Sequence, residues 1–299
     1  MLERKGGLPR LYAWSPLPVN DMEYWISEQK GNLTYSIDMI RLDFVLKDSV
    51  LNSLLAWFND PMKIDIDTYG LNTSPFKFRH MFRINYAKSS LIVGLGFNGI
   101  SQLDSLKCFM EFNPNKVFQS PGSIEDVYYI LDKSLKVRIS RWDLAIDIPI
   151  RRELLQLVKD QRKYSLTMKS ESDKTEYLGT RNSGGFVKLY NKTIESKLEE
   201  DVSRLEITCD KLMTIDDIMD KIPQIRGIEY QRELTLDSNL SEKDRLLVDL
   251  LKMHPDMFRR LNDRNRKKFK PYVFGDSVDL KFDRHCIRVL KERVYQFEK

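Results

Sequence analysis

Apolar and charged positions alternate with a period of two through residues 38–47, DMIRLDFVLK, then change to a period near 3.6 in SVLNSLLAWFN (49–59). The first pattern predicts a half-buried strand and the second an amphipathic helix. A similar change recurs in 138–160, RISRWDLAIDIPIRRELLQLVKD. Further blocks match in the same order: SSLIVGLG (89–96) with GGFVKLYN (184–191), CFMEFN (108–113) with SRLEIT (203–208), and SIEDVYYILDK (123–133) with TIDDIMDKIPQ (214–224). The last pair each open with a Ser or Thr N-cap and an acid three residues on. Ordered self-similarity of this kind predicts two homologous α+β halves, 31–135 and 136–226. Each is expected to run strand, helix, two or three strands, helix, with mostly antiparallel sheets and helices on one face. This alignment sets Asp43 opposite Asp143, Glu111 opposite Glu206, Val93 opposite Lys188 and Leu95 opposite Tyr190.

Beyond residue 226 the pattern changes. SEKDRLLVDLLKM (241–253) opens with a capping pair, Ser241 and Asp244, and HCIRVLKERVYQFEK is a further amphipathic helix. Residues 227–299 therefore read as a helical C-terminal module, and 1–30, with Pro9, Pro16 and Pro18, as an extended arm.

Strand periodicity also sorts the charges. Arg141, Asp143, Ala145 and Asp147 share one face of their strand, and Trp142, Leu144, Ile146 and Ile148 the other. Arg204 with Glu206, and Lys188 with Tyr190, fall on polar faces in the same way. One surface of the second half is thus expected to carry Asp, Glu, Lys, Arg and Tyr. Either it is an ordinary solvated sheet face, or its carboxylates hold a hard cation, Mg²⁺ or Mn²⁺.

Composition narrows the choice. The 299 residues hold 41% hydrophobic and 31% charged side chains, enough for a core and for solubility. No apolar run approaches the roughly 18 residues of a membrane span, and the first residues lack a signal-peptide pattern, so a cytoplasmic protein with no membrane partner is expected. Three scattered Cys and three His disfavour disulfide frameworks and zinc or histidine metal sites. The net charge is +5. Residues 259–270, RRLNDRNRKKFK, contribute seven cations and one acid, so the other 287 residues carry −1. A basic patch on a near-neutral body is the footprint of a phosphate-backbone binder, or else a solvated helix face. The G-x-G-x-x-G at 94–99 runs on toward another strand, which favours a glycine-rich hairpin over a dinucleotide site.

Carboxylates, cations and a tyrosine on one face suit phosphoryl transfer, the metal polarising the phosphate and cations offsetting oxygen charge. EFNPNK (111–116), RWDLAID (141–147), TEYLGTRNSGGFVKLYNKTIE (175–195), SRLEIT (203–208) and, more weakly, RRLNDRNRKKFKPY (259–272) resemble the replication initiation factor (Rep_trans) family of rolling-circle plasmid initiators. They occur in family order across most of 31–275. The resemblance implies a homodimeric DNA nicking-closing enzyme acting on a plasmid double-strand origin, at a hairpin or single-stranded nick site, with a host helicase as partner. It further implies that the tyrosine of the Y-N-K motif, Tyr190, forms a 5′-phosphotyrosine intermediate, that a divalent metal is bound by acids, and that Asp143 is the first of them. Same-face geometry adds Asp147 and Glu206. Glu195 is a ligand, a base or simply an acid in the first turn of a helix. Lys188, Lys192, Arg181 and Arg204 contact or neutralise phosphates, or form structural ion pairs. Tyr177 is the rival tyrosine. In the C-terminal run, Arg264, Arg266, Lys267, Lys268 and Lys270 are the expected origin-binding cations. The departure from the family is Pro149-Arg151-Arg152 where an acidic stretch is expected. A conjugative relaxase, or a DNA binder that has kept only the fold, are the alternatives.

Overall fold

The computed structural model describes residues 27–59, 66–68, 78–87, 89–97, 105–170, 172–227, 240–253, 255–258, 260–273 and 280–299. Two 15-residue strands, β2 (Leu33–Lys47) and β7 (Ser134–Ile148), pair antiparallel at the centre of an α+β fold. Their alternation is what the sequence shows: Leu42, Leu46, Leu144 and Ile146 are fully buried while Arg41, Asp143 and Asp147 keep partial exposure.

The sheet grows outward from this pair in the same way on both sides. Beside β2 lie β6 (Ser105–Phe112), β5 (Ser89–Phe97), β4 (Phe78–Tyr86) and β3 (Ile66–Thr68). Beside β7 lie β12 (Ser203–Asp210), β11 (Val187–Asn191), β10 (Lys174–Leu178) and β9 (Tyr164–Met168). With β1 (Ser27–Lys30) paired to β2, the described residues form an 11-stranded sheet, antiparallel in every pairing. Residues 27–30 of the expected arm are therefore a strand; the rest of it lies outside the described residues.

Helices cover the apolar face. Leu54 and Phe58 of α1 (Asp48–Phe58), Val117 of α2 (Pro114–Val117), and Val127, Ile130 and Leu131 of α3 (Ser123–Asp132) join one core with the inward residues of β2 and β7. The short α4 (Lys192–Ser196) follows β11, and α5 (Ile215–Lys221) adds Ile218 from the other half. The capping box at α5 forms as expected, with Thr214 and Asp217 bonding reciprocally. At α3 the N-cap is Gly122 instead, and the Ser123 hydroxyl donates to the Ser120 carbonyl at 2.7 Å.

The sequence and the structure part at two places. The expected helix at 151–160 is a 3-10 turn, Arg152–Leu154, running into β8 (Leu155–Leu157), which pairs with β13 (Ile225–Gly227). L-Q-L has period two, with both leucines buried and Gln156 exposed, and the preceding Pro149 breaks any helical continuation. Second, the last helix, α9 (Arg284–Tyr295), is not part of the C-terminal module: Ile287, Leu290, Val294 and Phe297 are fully buried in the main core. Lys299 and Val137 exchange backbone hydrogen bonds at 3.1 and 3.2 Å. The module is therefore α6 (Glu242–Met253), α7 (Pro255–Phe258) and α8 (Asp263–Val273), around a small core of Leu240, Val248, Leu251, Phe258, Phe269 and Val273. Gly94 and Gly96 lie in β5, which pairs antiparallel with the next strand, β6, in keeping with the hairpin favoured from the sequence. A Cβ on Gly94 would sit 2.3 Å from the Phe109 ring, so this glycine is there for strand packing and no cofactor loop is formed by it. Among the described residues no helix is long and apolar enough to cross a membrane.

Candidate active site

The polar side of the second half is built by register. Lys188 on β11, Glu206 on β12 and Ala145 on β7 stand in one row, and Tyr190, Arg204 and Asp147 stand in the next. Thr208 faces Asp143 in the row on the other side of Glu206. Since residues two apart share a face, these side chains emerge together while Leu189, Leu205 and Ile146 pack beneath them.

Tyr190 donates its hydroxyl proton to Glu206 Oε1 at 2.5 Å and lies 3.5 Å from Glu195 Oε2. Lys188 donates to the other Glu206 oxygen at 3.3 Å, and its Nζ lies 3.7 Å from the centre of the Tyr190 ring. The Lys192 ammonium, only 6% exposed, is bound to Glu195. Burial raises the Tyr190 pKa, and the carboxylates of Glu206 and Glu195 push the same way, with Arg204 opposing. The phenol is therefore held protonated. Burial likewise raises Glu206, with Asp38 adding to it and Lys188 and Tyr190 opposing. Burial pushes Glu195 up too, but Lys192 more than offsets this and leaves it lowered. A proton-holding phenol thus touches a carboxylate of raised basicity, which is the pairing a nucleophile and general base need.

Arg204 clamps two acids. Its Nε and Nη2 donate to Asp147 at 2.6 and 2.7 Å, and its Nη1 donates to Asp38 at 2.8 Å. Burial disfavours its charge, yet the hydrogen bonds and charge of Asp147, with Asp38, raise its pKa overall. Asp38 reaches this face because the β2–β7 register shifts between Ile37 and Met39. Sequence reasoning passed it over; the adjacent apolar residues Met39-Ile40, which break the alternation, were the available signal.

Asp143 is bound at two points by Arg141, at 2.8 and 3.1 Å, and Arg141 also donates to Asn182 at 3.0 Å. Burial raises the Asp143 pKa, against the pull of Arg141 and Thr208. Asp143, Glu206, Lys188, Tyr177, Thr208 and Arg181 line a cleft of about 680 Å³, to which Arg141, Lys163 and Glu111 also contribute. Tyr177 stacks on Phe186 with ring centres 5.9 Å apart. Tyr190 stands one row behind the cleft lining, 5% exposed, and meets it through Glu206.

The expected metal triad divides here. Asp143 and Glu206 line the cleft, whereas Asp147 is taken up by Arg204 outside it. Among the described residues no three His, Cys, Asp or Glu side chains group as a metal site. As arranged, each of these acids has a cationic partner, Arg141 for Asp143, Arg204 for Asp147 and Lys188 for Glu206.

Behind the site, on the helix-packed side, the Arg152 guanidinium donates to Glu176 at 2.6 Å, both side chains at most 1% exposed. Arg152 also donates to the carbonyls of Leu189 and Leu155, and Tyr164 donates to Glu176 at 2.8 Å. This network pins β10 and β11 and so fixes Tyr177 and Tyr190. Arg152, a departure from the family pattern, is thus a structural residue.

The register corrects the pairing of the two halves. Val93 and Leu95 are fully buried in the helix-packed core, so they are not the counterparts of Lys188 and Tyr190, which face the opposite side. Asp43 faces Phe109 as Asp143 faces Thr208; counting two residues on, the position of Glu206 is held by Lys107, and Glu111 stands where Asp210 does.

In α8, Arg264, Arg266, Lys267 and Lys268 are exposed. Arg266 pairs with Asp263 at 2.5 Å and Lys268 with Asp244 at 2.8 Å, while Arg264 and Lys267 have no ion pair among the described residues. Lys270 belongs to the helix, and its side chain lies outside the described set.

No protein-family model and no curated protein matches the chain. Among solved structures it is similar to a rolling circle replication initiator protein from Geobacillus stearothermophilus, at 15% identity and a TM-score of 0.38, over 69% of this chain and 90% of that one.

Proposed function

We propose that this protein is a replication initiator that nicks and rejoins one DNA strand of a plasmid origin through Tyr190. The observation that carries the reading is the Tyr190–Glu206 hydrogen bond, set among Lys188, Lys192 and Arg204 and opening onto a cation-lined cleft. The sequence likeness to rolling-circle initiators supports it from a separate direction. Tyr190 Oη attacks the scissile phosphorus as Glu206 takes its proton, forming a phosphotyrosine ester to the 5′ end. The P–O3′ bond breaks, and the departing O3′ takes a proton from water to give the 3′-OH primer. Rejoining reverses these steps. Lys188 and Arg181 bind the flanking phosphates, and Lys192 holds Glu195 beside the phenol. Asp143 and Glu206 are the two acids of the expected triad that a cleft-bound Mg²⁺ or Mn²⁺ would meet; such an ion polarises a phosphate. No step above depends on it. The plasmid double-strand origin, homodimer, host helicase and cytoplasmic setting belong to the same proposal through the family likeness.

The burial of Tyr190 is the observation that favours the second reading, a DNA binder without chemistry. Supercoiled plasmid carrying the cognate origin, incubated with the protein with and without Mg²⁺ or Mn²⁺, separates them. The proposal expects open circles bearing bound protein, lost in Tyr190→Phe with origin binding retained. Normal nicking by Tyr190→Phe moves the nucleophile to Tyr177; no nicking by the wild type under any condition leaves the DNA-binder reading.

A further inference from the structure

A second cleft, about 490 Å³, opens on the same face of the sheet, where β2 and β6 of the first half meet the start of β7 and Lys211 of the second. Five cations line it, Arg41, Lys107, Lys136, Arg138 and Lys211, against the single carboxylate of Asp43. Lys107, Lys136, Arg138 and Lys211 are exposed and have no ion pair among the described residues. Lys107 holds the position that Glu206 holds in the other half, an exchange of an acid for a base that adds to the positive charge of this surface.

Aromatic rings accompany the charges. Phe78 and Phe97 sit side by side at the end of the β4–β5 hairpin with ring centres 5.5 Å apart, and Phe97 is 39% exposed. Phe78 also meets Phe109 at 4.8 Å, over which the Arg41 guanidinium lies at 4.3 Å. In the other cleft the stacked pair Tyr177 and Phe186 stands beside the turn of the β10–β11 hairpin, whereas Phe78 and Phe97 stand at the open end of β4–β5. The two clefts meet: Arg41 lines the second and donates to Glu111, which lines the active-site cleft, at 3.3 Å, and Arg41 and Arg141 are register partners on the central strands.

We infer that this second cleft, at the seam of the two halves, is a non-covalent single-strand clamp that binds unpaired DNA next to the strand held for nicking. Exposed phenyl faces stack unpaired bases, and cations beside them track the phosphates. A duplex keeps its bases stacked internally and offers no such faces. The cleft away from Tyr190 thus has the grip and lacks the chemistry. The choice of DNA as occupant rests on the nicking reading; the cleft and its charge do not.

Fluorescence anisotropy of a labelled oligo-dT of about 20 nucleotides, titrated with the full chain across a salt series, tests this. Lys136→Ala/Arg138→Ala should weaken binding and lower the log–log salt slope by about 1.4, the value for two phosphates of a single strand. Phe97→Ala should weaken it roughly tenfold, as loss of one stacked base does. Both variants should leave duplex origin binding at the wild-type level. Unchanged affinity and slope in the double variant overturn the clamp, whatever Tyr190 does. Tighter binding of oligo-U than oligo-dT overturns the DNA assignment. If Tyr190→Phe nicks normally while the clamp variants lose the oligonucleotide, the tyrosine assignment falls and the clamp stands.

Discussion

Opposite Asp143 in the second half stands Thr208; opposite Asp43 in the first stands Phe109. The small threonine leaves a cleft beside the acid. The phenyl ring fills the same place, and a glycine, Gly94, is needed on the next strand to admit it. The arginines respond. Arg141 is bound at two points to Asp143, whose side chain is 14% exposed. Arg41 is 3.9 Å from Asp43, which is 58% exposed, and lies over Phe109 instead. One backbone plan therefore yields a buried acid–base cluster on one side and a cationic, aromatic surface on the other, through a handful of side-chain exchanges.

The largest break in this comparison comes from Glu206→Gln, which removes the proposed base and keeps the shape. Nicking should fall about 10²- to 10⁴-fold, the usual worth of general-base catalysis, whereas Asp43→Asn in the other half should leave it within about threefold. Because burial raises Glu206, the wild-type rate should climb with pH in a window above the ordinary glutamate range, and fall as Glu206 is protonated below it. Single-turnover nicking from pH 4.5 to 8 reads both; a profile flat through that window refutes the base assignment.

Thr208→Phe copies the first half into the second. Closure of the cleft should cost roughly 100-fold in nicking, in line with misplacement of a substrate by about 1 Å, while duplex origin binding stays unchanged. Urea denaturation sharpens the next difference: Glu176→Ala leaves Arg152 buried without its partner and should cost about 3–5 kcal/mol. A cost below about 1 kcal/mol would mean that this network does not hold β10 and β11. The smallest effect belongs to the C-terminal module. Lys267→Ala should lower the salt slope of duplex origin binding by about 0.9, and Lys268→Ala by less, since Asp244 already engages it.

Much of this arrangement was legible in the sequence. Alternation in RWDLAID and SRLEIT identified the strands and put Asp143, Asp147, Arg204 and Glu206 on one face, because period two is enforced by the backbone itself. What escaped reading depends on pairing between distant strands. The β2 register shift brings Asp38 to Arg204, and the offset of β6 puts Lys107, not Glu111, in the place of Glu206; neither is written in a single strand. Arg152–Glu176 was hidden for a related reason, since each residue alone reads as a surface charge. The 155–157 strand was missed because three residues of L-Q-L sit inside a longer stretch with helical composition.

The most direct test of the central claim is capture of the covalent intermediate. A single-stranded oligonucleotide spanning the origin nick site is incubated with the wild-type chain, digested with protease and nuclease, and mapped by mass spectrometry. The account predicts a nucleotide adduct on Tyr190, on the peptide containing VKLYNK, and none on the Glu206→Gln variant under the same conditions. An adduct on Tyr177, or none on any tyrosine while nicking proceeds, would contradict it.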